Sequence, residues 1–168
     1  LLDDGCLRGF DTLYKVMPPL RDLEHIEALR EGVKDGTIDT ITSDHRPEDV
    51  EHKRLEFPQA AAGIIGLETA YAVANTAMKS RMSVRKLVER FCQGPRTALG
   101  LPIPHIAEGS EAEITMFSPE HEWTFTEADI VSRSKNTPFV GYHLTGKVFG
   151  IVAQGQVRLT GALHAEAQ

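Results

Sequence analysis

Gly36-Thr37-Ile38-Asp39-Thr40-Ile41-Thr42-Ser43-Asp44-His45-Arg46-Pro47 decides how this chain is read. The glycine closes a helical pattern that precedes it. The β-branched run over residues 38–42 predicts a strand. Ser43-Asp44-His45 stands where that run stops, just before a proline. A carboxylate and an imidazole at the end of a strand occupy the position where α/β barrel enzymes keep their chemistry. Loops at strand ends carry function more often than the elements they join. Taken alone, an Asp-His pair describes a solvated turn more often than a site, so the surrounding chain has to decide.

On the N-terminal side, Asp22 can cap a helix in which Leu23, Ile26, Leu29 and Val33 recur at helical spacing, with Gly36 as its stop. Residues 1–21 read as an irregular opening segment. Pro18-Pro19 forbids a helix through it and pushes Met17 to an extended conformation. On the C-terminal side, residues 44–66 read as a long loop with a short helix inside it. Its first half is charged (Glu48, Asp49, Glu51, His52, Lys53, Arg54, Glu56) and its last seven residues are small and apolar. Loops of that length in a compact domain are often functional lids, and small residues permit close approach of backbone or ligand.

Leu67, Tyr71, Ala74 and Met78 mark a second helix. Ser83 caps a third, with Val84, Leu87, Val88, Phe91 and Cys92 on one face. Gly94-Pro95 interrupts it, and residues 96–99 make one more turn. Beyond Pro102 and Pro104 the pattern becomes β. Strands are expected over 112–117 and 122–126, with Ser118-Pro119-Glu120 as the turn between them, and a hairpin over 147–153 and 156–159 about Gln154-Gly155. The small, polar tail from Gly161 reads as frayed. Residues 1–100 therefore read as α/β and 108–160 as mostly β, with a boundary at Leu101-Pro102-Ile103-Pro104.

Composition narrows the function classes. At 168 residues the chain can bury one ordinary core. Its 41% hydrophobic and 25% charged residues are those of a soluble globular protein. A net charge of -6 without a basic stripe argues against nucleic acid as a partner. No apolar run has membrane-spanning length. The start, Leu1-Leu2-Asp3-Asp4-Gly5, lacks the features of a signal peptide and lacks Met, so the chain reads as part of something longer. Cys6 and Cys92 follow no metal or redox spacing. Cys92 falls on an apolar helix face and is expected as a buried free thiol, which suits a reducing cytoplasm.

Six stretches carry a resemblance: Phe10-Asp11-Thr12; Lys15-Val16 with Pro18-Pro19-Leu20-Arg21; Asp35-Gly36-Thr37-Ile38-Asp39; Ser43-Asp44-His45; Gly63-Ile64-Ile65-Gly66-Leu67-Glu68-Thr69; and Ser134-Lys135-Asn136-Thr137-Pro138-Phe139. Each is weak alone. In this order the chain resembles the C-terminal portion of a dihydroorotase, of the type found in multifunctional and long bacterial enzymes of the amidohydrolase superfamily. The resemblance implies a metal-dependent (β/α)8 barrel flanked by a small β domain. Residues 1–100 would supply its last barrel strands and helices, and 101–168 a share of the β domain. The strand leading to Asp44 would be the last of the barrel.

The resemblance also implies a site. Asp44 would be the catalytic residue and would touch the metal, a zinc ion. Zinc-bound water ionises near neutral pH, and a carboxylate beside it can take the proton and later give it to the departing ring nitrogen. The remaining ligands, histidines and a carboxylated lysine or an aspartate, belong to earlier strands outside this chain. The implied substrates are dihydroorotate and N-carbamoyl-aspartate, interconverted in pyrimidine biosynthesis. The expected substrate-binding positions are Met17, Arg46, Glu48, Ala62 and Gly63. Two of these depart from the family. Met17 stands where an asparagine is usual, and Glu48 where a histidine contacts the substrate carboxylate. Arg46, in place of the usual alanine, can take over that anion by a charge-assisted contact. His45 is expected to support the loop, and His25, His52, His105, His121, His143 and His164 to lie on the surface. The implied partners are the rest of the same protein, a second copy of it, and aspartate transcarbamoylase. The alternatives are an inactive dihydroorotase-like partner of that transcarbamoylase and a hydantoinase-like cyclic amidase.

Overall fold

A computed structural model describes residues 1–160. Two 3-10 turns, Asp4–Gly9 and Thr12–Tyr14, open the chain. Helix α1 (Leu23–Asp35) follows where the pattern places it. The Asp22 side chain accepts from the His25 N–H, and Gly36 closes the helix in the left-handed region at φ 97°. Such a cap contributes about 0.5–2 kcal/mol. The apolar stripe of α1 is only partly covered among the described residues: Leu23 and Leu29 are 67% and 54% exposed, whereas Ile26 and Val33 are partly buried.

Residues 38–42 form no ladder, contrary to the expected strand. The Ile38 N–H donates to the Gly32 carbonyl and the Ile41 N–H to the Arg90 carbonyl. Side-chain pattern sets strand propensity, but a parallel strand exists only beside a second strand. Among the described residues that pairing begins at His45, in a single parallel bridge to Ile64.

The long loop contains the short helix α2 (Val50–Lys53), as expected. Helix α3 (Ala70–Met78) begins later than its pattern suggested, and Leu67 lies outside it and exposed. In α4 (Val84–Phe91) the Ser83 hydroxyl accepts from the Lys86 N–H, and Leu87 is buried. Cys92 is exposed rather than buried. It is the junction between α4 and α5 (Gln93–Ala98), so it leaves the apolar face on which helical spacing had put it. Pro95 falls in the first turn of α5, where a proline costs no hydrogen bond.

Three antiparallel strands make one sheet in the order β1 (Ile114–Thr124), β2 (His143–Ala153), β3 (Gln156–Leu159). The two short strands expected over 112–126 are one strand with a bulge. Pairing runs to Ser118 opposite Lys147 and resumes at Glu122 opposite Thr145. Pro119 has no N–H for the ladder, so it sits in the bulge instead of ending the strand. Helix α3 reaches this point. The Asn75 amide donates to the carbonyls of Pro119 and Thr145, both at 2.9 Å. The β2–β3 hairpin turns at Gln154 and Gly155, both with positive φ, as a two-residue turn requires. The expected frayed tail from Gly161 lies outside the described residues.

The core gathers Ile65, Ala72, Phe125, Ile130, Phe139 and Leu144. Helix α3 therefore packs on the sheet through the segment that follows the long loop. Each fully buried large apolar side chain here contributes about 1.5–3 kcal/mol. That packing fixes residues 63–66 as one wall of the site.

Candidate active site

Asp44 stands where residues 38–43 end, with φ at 41°. Aspartate tolerates this left-handed conformation better than most residues. Its carboxylate borders a cleft of about 280 Å³ between the 41–46 run, residues 63–66 and the first turns of α3. Arg46 stands two residues on, and its Nε donates to Asp44 Oδ1 at 3.0 Å. The two side chains are 50% and 59% exposed.

His45 points the other way. Its Nδ1 accepts from the N–H groups of Gly66 at 3.1 Å and Leu67 at 3.4 Å. Those donors assign the proton to Nε2 and make His45 a support for the loop, as expected. Only a glycine permits this approach: a Cβ at Gly66 would lie 2.5 Å from the Ser43 carbonyl oxygen. The end of the 38–43 run is thereby fastened to residues 66–67.

Of the expected substrate-binding positions, Met17, Arg46 and Gly63 line the cleft together with Asp44, while Glu48 and Ala62 do not. Met17 is 60% exposed and brings a thioether where an amide would offer hydrogen bonds. The Glu48 carboxylate lies 3.7 Å from His52 Nδ1, on the side of α2. Gly63 borders the cleft by its shape. Its N–H donates to the Lys15 carbonyl, and its own carbonyl accepts from Lys53 Nζ and Asn136 Nδ2.

Lys53 and Asn136 are buried, and nothing in the residue pattern places either beside the cleft. Lys53 is 6% exposed, with Nζ on the carbonyls of Ala61 (3.0 Å) and Gly63 (3.2 Å). Burial lowers its pKa, against the opposing pull of Glu48. Lys15 Nζ binds the carbonyls of Phe57 and Pro58. The two lysines thus pin the long loop by its backbone. Asn136, 4% exposed, binds the loop beyond Asp44 and Gly63 at once. Glu68 is partly buried. Its Oε1 accepts from the N–H and hydroxyl of Ser132, and Oε2 is buried without a partner. Burial works to raise its pKa, and the two Ser132 bonds outweigh it, holding the carboxyl below the usual range.

The described residues contain no group of three His, Cys, Asp or Glu side chains able to hold a metal ion. The one acid at the cleft mouth has an arginine for its neighbour. The zinc implied by the resemblance therefore does not fit a site made from these residues alone. What the chain brings to the site is a single carboxylate.

The fold places the chain in a class. It is part of the TIM-barrel amidohydrolase architecture. It superimposes on the L-hydantoinase of Arthrobacter aurescens with a TM-score of 0.83, at 28% identity over 93% of this chain and 36% of that one. A D-hydantoinase gives a TM-score of 0.80 at 22% identity, a likeness of fold alone. No protein-family profile matches the chain.

Curated sequence relatives are more specific. The dihydroorotase of Anaeromyxobacter sp. (strain K) is 38% identical over 156 residues, 92% of this chain and 36% of that protein. That of Syntrophus aciditrophicus is 39% identical over 157 residues, and that of Acetivibrio thermocellus 39% over 159. The chain is thus similar to curated dihydroorotases over most of its own length, and it spans a little over a third of the length of the relatives it matches.

Proposed function

We propose that the protein carrying this chain is a dihydroorotase-type cyclic amide hydrolase, with Asp44 as the group that moves the proton. The observation that carries the reading is the placement of Asp44. A carboxylate in a left-handed turn borders a cleft, and Arg46 is held on it at 3.0 Å. A water attacking the ring carbonyl of dihydroorotate gives its proton to Asp44. The resulting carboxylic acid passes that proton to the departing ring nitrogen, and N-carbamoyl-aspartate is released. In the reverse direction the same residue closes the ring. Arg46 supplies the anion contact: among the described residues its two Nη groups carry no hydrogen bond and can take the substrate carboxylate.

A zinc ion, if the whole protein holds one, would supply Lewis acidity and a more acidic water. Its ligands other than Asp44 would come from outside this chain. Division into a barrel part (1–100) and a β part (101–168), self-association, and a setting in the cytoplasm belong to the same reading. No helix among the described residues is long and apolar enough to cross a membrane.

The test is substrate choice. The purified protein that carries this chain, loaded with its metal, is expected to open dihydroorotate and to leave 5-substituted hydantoins untouched. The 168-residue chain by itself is expected to open neither. Hydrolysis of hydantoins with dihydroorotate left intact would assign it to the hydantoinases. Turnover of neither by the metal-loaded protein would favour a non-catalytic partner of aspartate transcarbamoylase.

A further inference from the structure

We infer that Asn136 is the positioning residue of the site: its carboxamide fixes the Arg46–Glu48 turn against the Gly63 wall and so sets where Arg46 meets the substrate carboxylate. The inference rests on the reading of Arg46 as the anion contact.

The turn needs an outside anchor. Pro47 has no N–H, so the turn cannot be held by a bond at its centre. The two backbone groups that flank Pro47 both end on one side chain. The Glu48 N–H donates to Asn136 Oδ1 at 3.2 Å, and Asn136 Nδ2 donates to the Arg46 carbonyl at 2.9 Å. The second Nδ2 proton reaches the Gly63 carbonyl at 3.1 Å, on the opposite wall. The orientation of the amide is unambiguous, because a backbone N–H only donates and a carbonyl only accepts. Only a carboxamide meets one donor and two acceptors in this way. Aspartate would face two carbonyls with an acceptor, and leucine would leave the Glu48 N–H and the Arg46 carbonyl without this partner and the Gly63 carbonyl with Lys53 Nζ alone.

The main chain of Asn136 adds a fourth tie, its carbonyl accepting from the Ile65 N–H at 3.1 Å. The Arg46 N–H is in turn held by the Ile64 carbonyl at 3.0 Å. The backbone of Arg46 is therefore fixed at both its N–H and its C=O. The guanidinium is half-exposed, yet it springs from a rigid base. That base depends on a side chain 90 residues further along the chain, between β1 and β2.

The test compares Asn136→Leu and Asn136→Asp in the metal-loaded protein that carries this chain, with Leu87→Ala as a control. Leu87 is buried on α4 and does not border the cleft. Asn136→Leu is expected to raise KM for dihydroorotate about tenfold, one lost contact's worth, with kcat within about threefold. Asn136→Asp keeps the Glu48 bond and loses the two carbonyl bonds, so its KM is expected between the two. Leu87→Ala, with a comparable loss in Tm, is expected to leave KM unchanged. Amide hydrogen exchange at Glu48 is expected to accelerate about tenfold in Asn136→Leu, while core amides stay protected.

A KM that follows Tm equally in all three variants would reduce Asn136 to a structural residue and overturn the inference. So would unchanged exchange at Glu48. If Asn136→Leu does not fold, the KM and Tm of Asn136→Asp decide between the same two outcomes. If the unmodified protein does not open dihydroorotate, the functional reading falls; the Glu48 exchange rate then decides whether the clamp exists.

Discussion

Arg46→Ala separates a substrate contact from a surface ion pair. Arg46 and Asp44 are 50% and 59% exposed, and their 3.0 Å contact is open to water. A pair of that kind contributes about 0–1 kcal/mol to folding. In a chain of this size the substitution should move Tm by less than about 4 °C. The substrate carboxylate is a different matter. Losing one charge-assisted hydrogen bond costs about 1.5–3 kcal/mol, or roughly 10- to 150-fold in kcat/KM. The assay is steady-state ring opening of dihydroorotate by the metal-loaded protein, repeated with dihydrouracil, the same ring without the carboxylate. Arg46→Ala is expected to raise KM for dihydroorotate and to leave the rate with dihydrouracil, however slow, as it was. Added salt should weaken dihydroorotate binding in the unmodified protein and affect the variant less. An unchanged KM would refute the anion contact. A rise in kcat would show instead that Arg46 restrains Asp44, and that its removal frees the carboxylate.

Two further substitutions probe the neighbouring groups. Met17 lines the cleft and Glu48 does not, so Met17→Asn is expected to raise kcat/KM by about tenfold, one recovered hydrogen bond, whereas Glu48→His stays within about threefold; the reverse order in steady-state kinetics would place Glu48 in the site. Glu68→Gln tests the carboxylate held by Ser132, whose pKa lies below the ordinary 4.5 in the folded protein. The unfolded chain then binds the proton more readily, so the contribution of Glu68 is complete above pH 4.5 and is lost as pH falls through the folded value. Denaturant midpoints are expected to separate the two proteins at neutral pH and to converge below that range; a gap that widens on acidification would contradict the assignment.

The parts of the fold that were legible in the sequence are those whose cause is local. Asp22 and Gly36 bound α1 because capping needs only neighbouring residues. The hairpin at Gln154-Gly155 is likewise set by two residues that accept positive φ. Features that depend on distant partners were not legible. Residues 38–42 have strand composition, but no composition can supply a neighbouring strand. Pro119 reads as a turn, yet α3 satisfies the bulge it creates through Asn75, 44 residues earlier. Cys92 left the apolar face because a new helix starts at the next residue.

The same division runs through the cleft. The place of Asp44 beside it was legible because strand-end chemistry has a fixed address in barrel folds, and the resemblance singled the residue out. Lys53 was hidden in a charged run that reads as solvated, and its burial depends on carbonyls eight and ten residues later. Asn136 was quoted as part of a motif without a role, because its three partners lie 73 to 90 residues away.

The most direct test of the central claim is the turnover number of Asp44→Asn in the metal-loaded protein that carries this chain. The substitution keeps the size and the left-handed tolerance of the side chain and removes its ability to take a proton. Proton transfer by a positioned side chain accelerates a reaction about 10²- to 10⁴-fold. The account predicts a loss of dihydroorotate ring opening within that range, with Tm little changed. A variant that retained turnover within about threefold of the parent would lie far below that range and remove Asp44 from the chemistry.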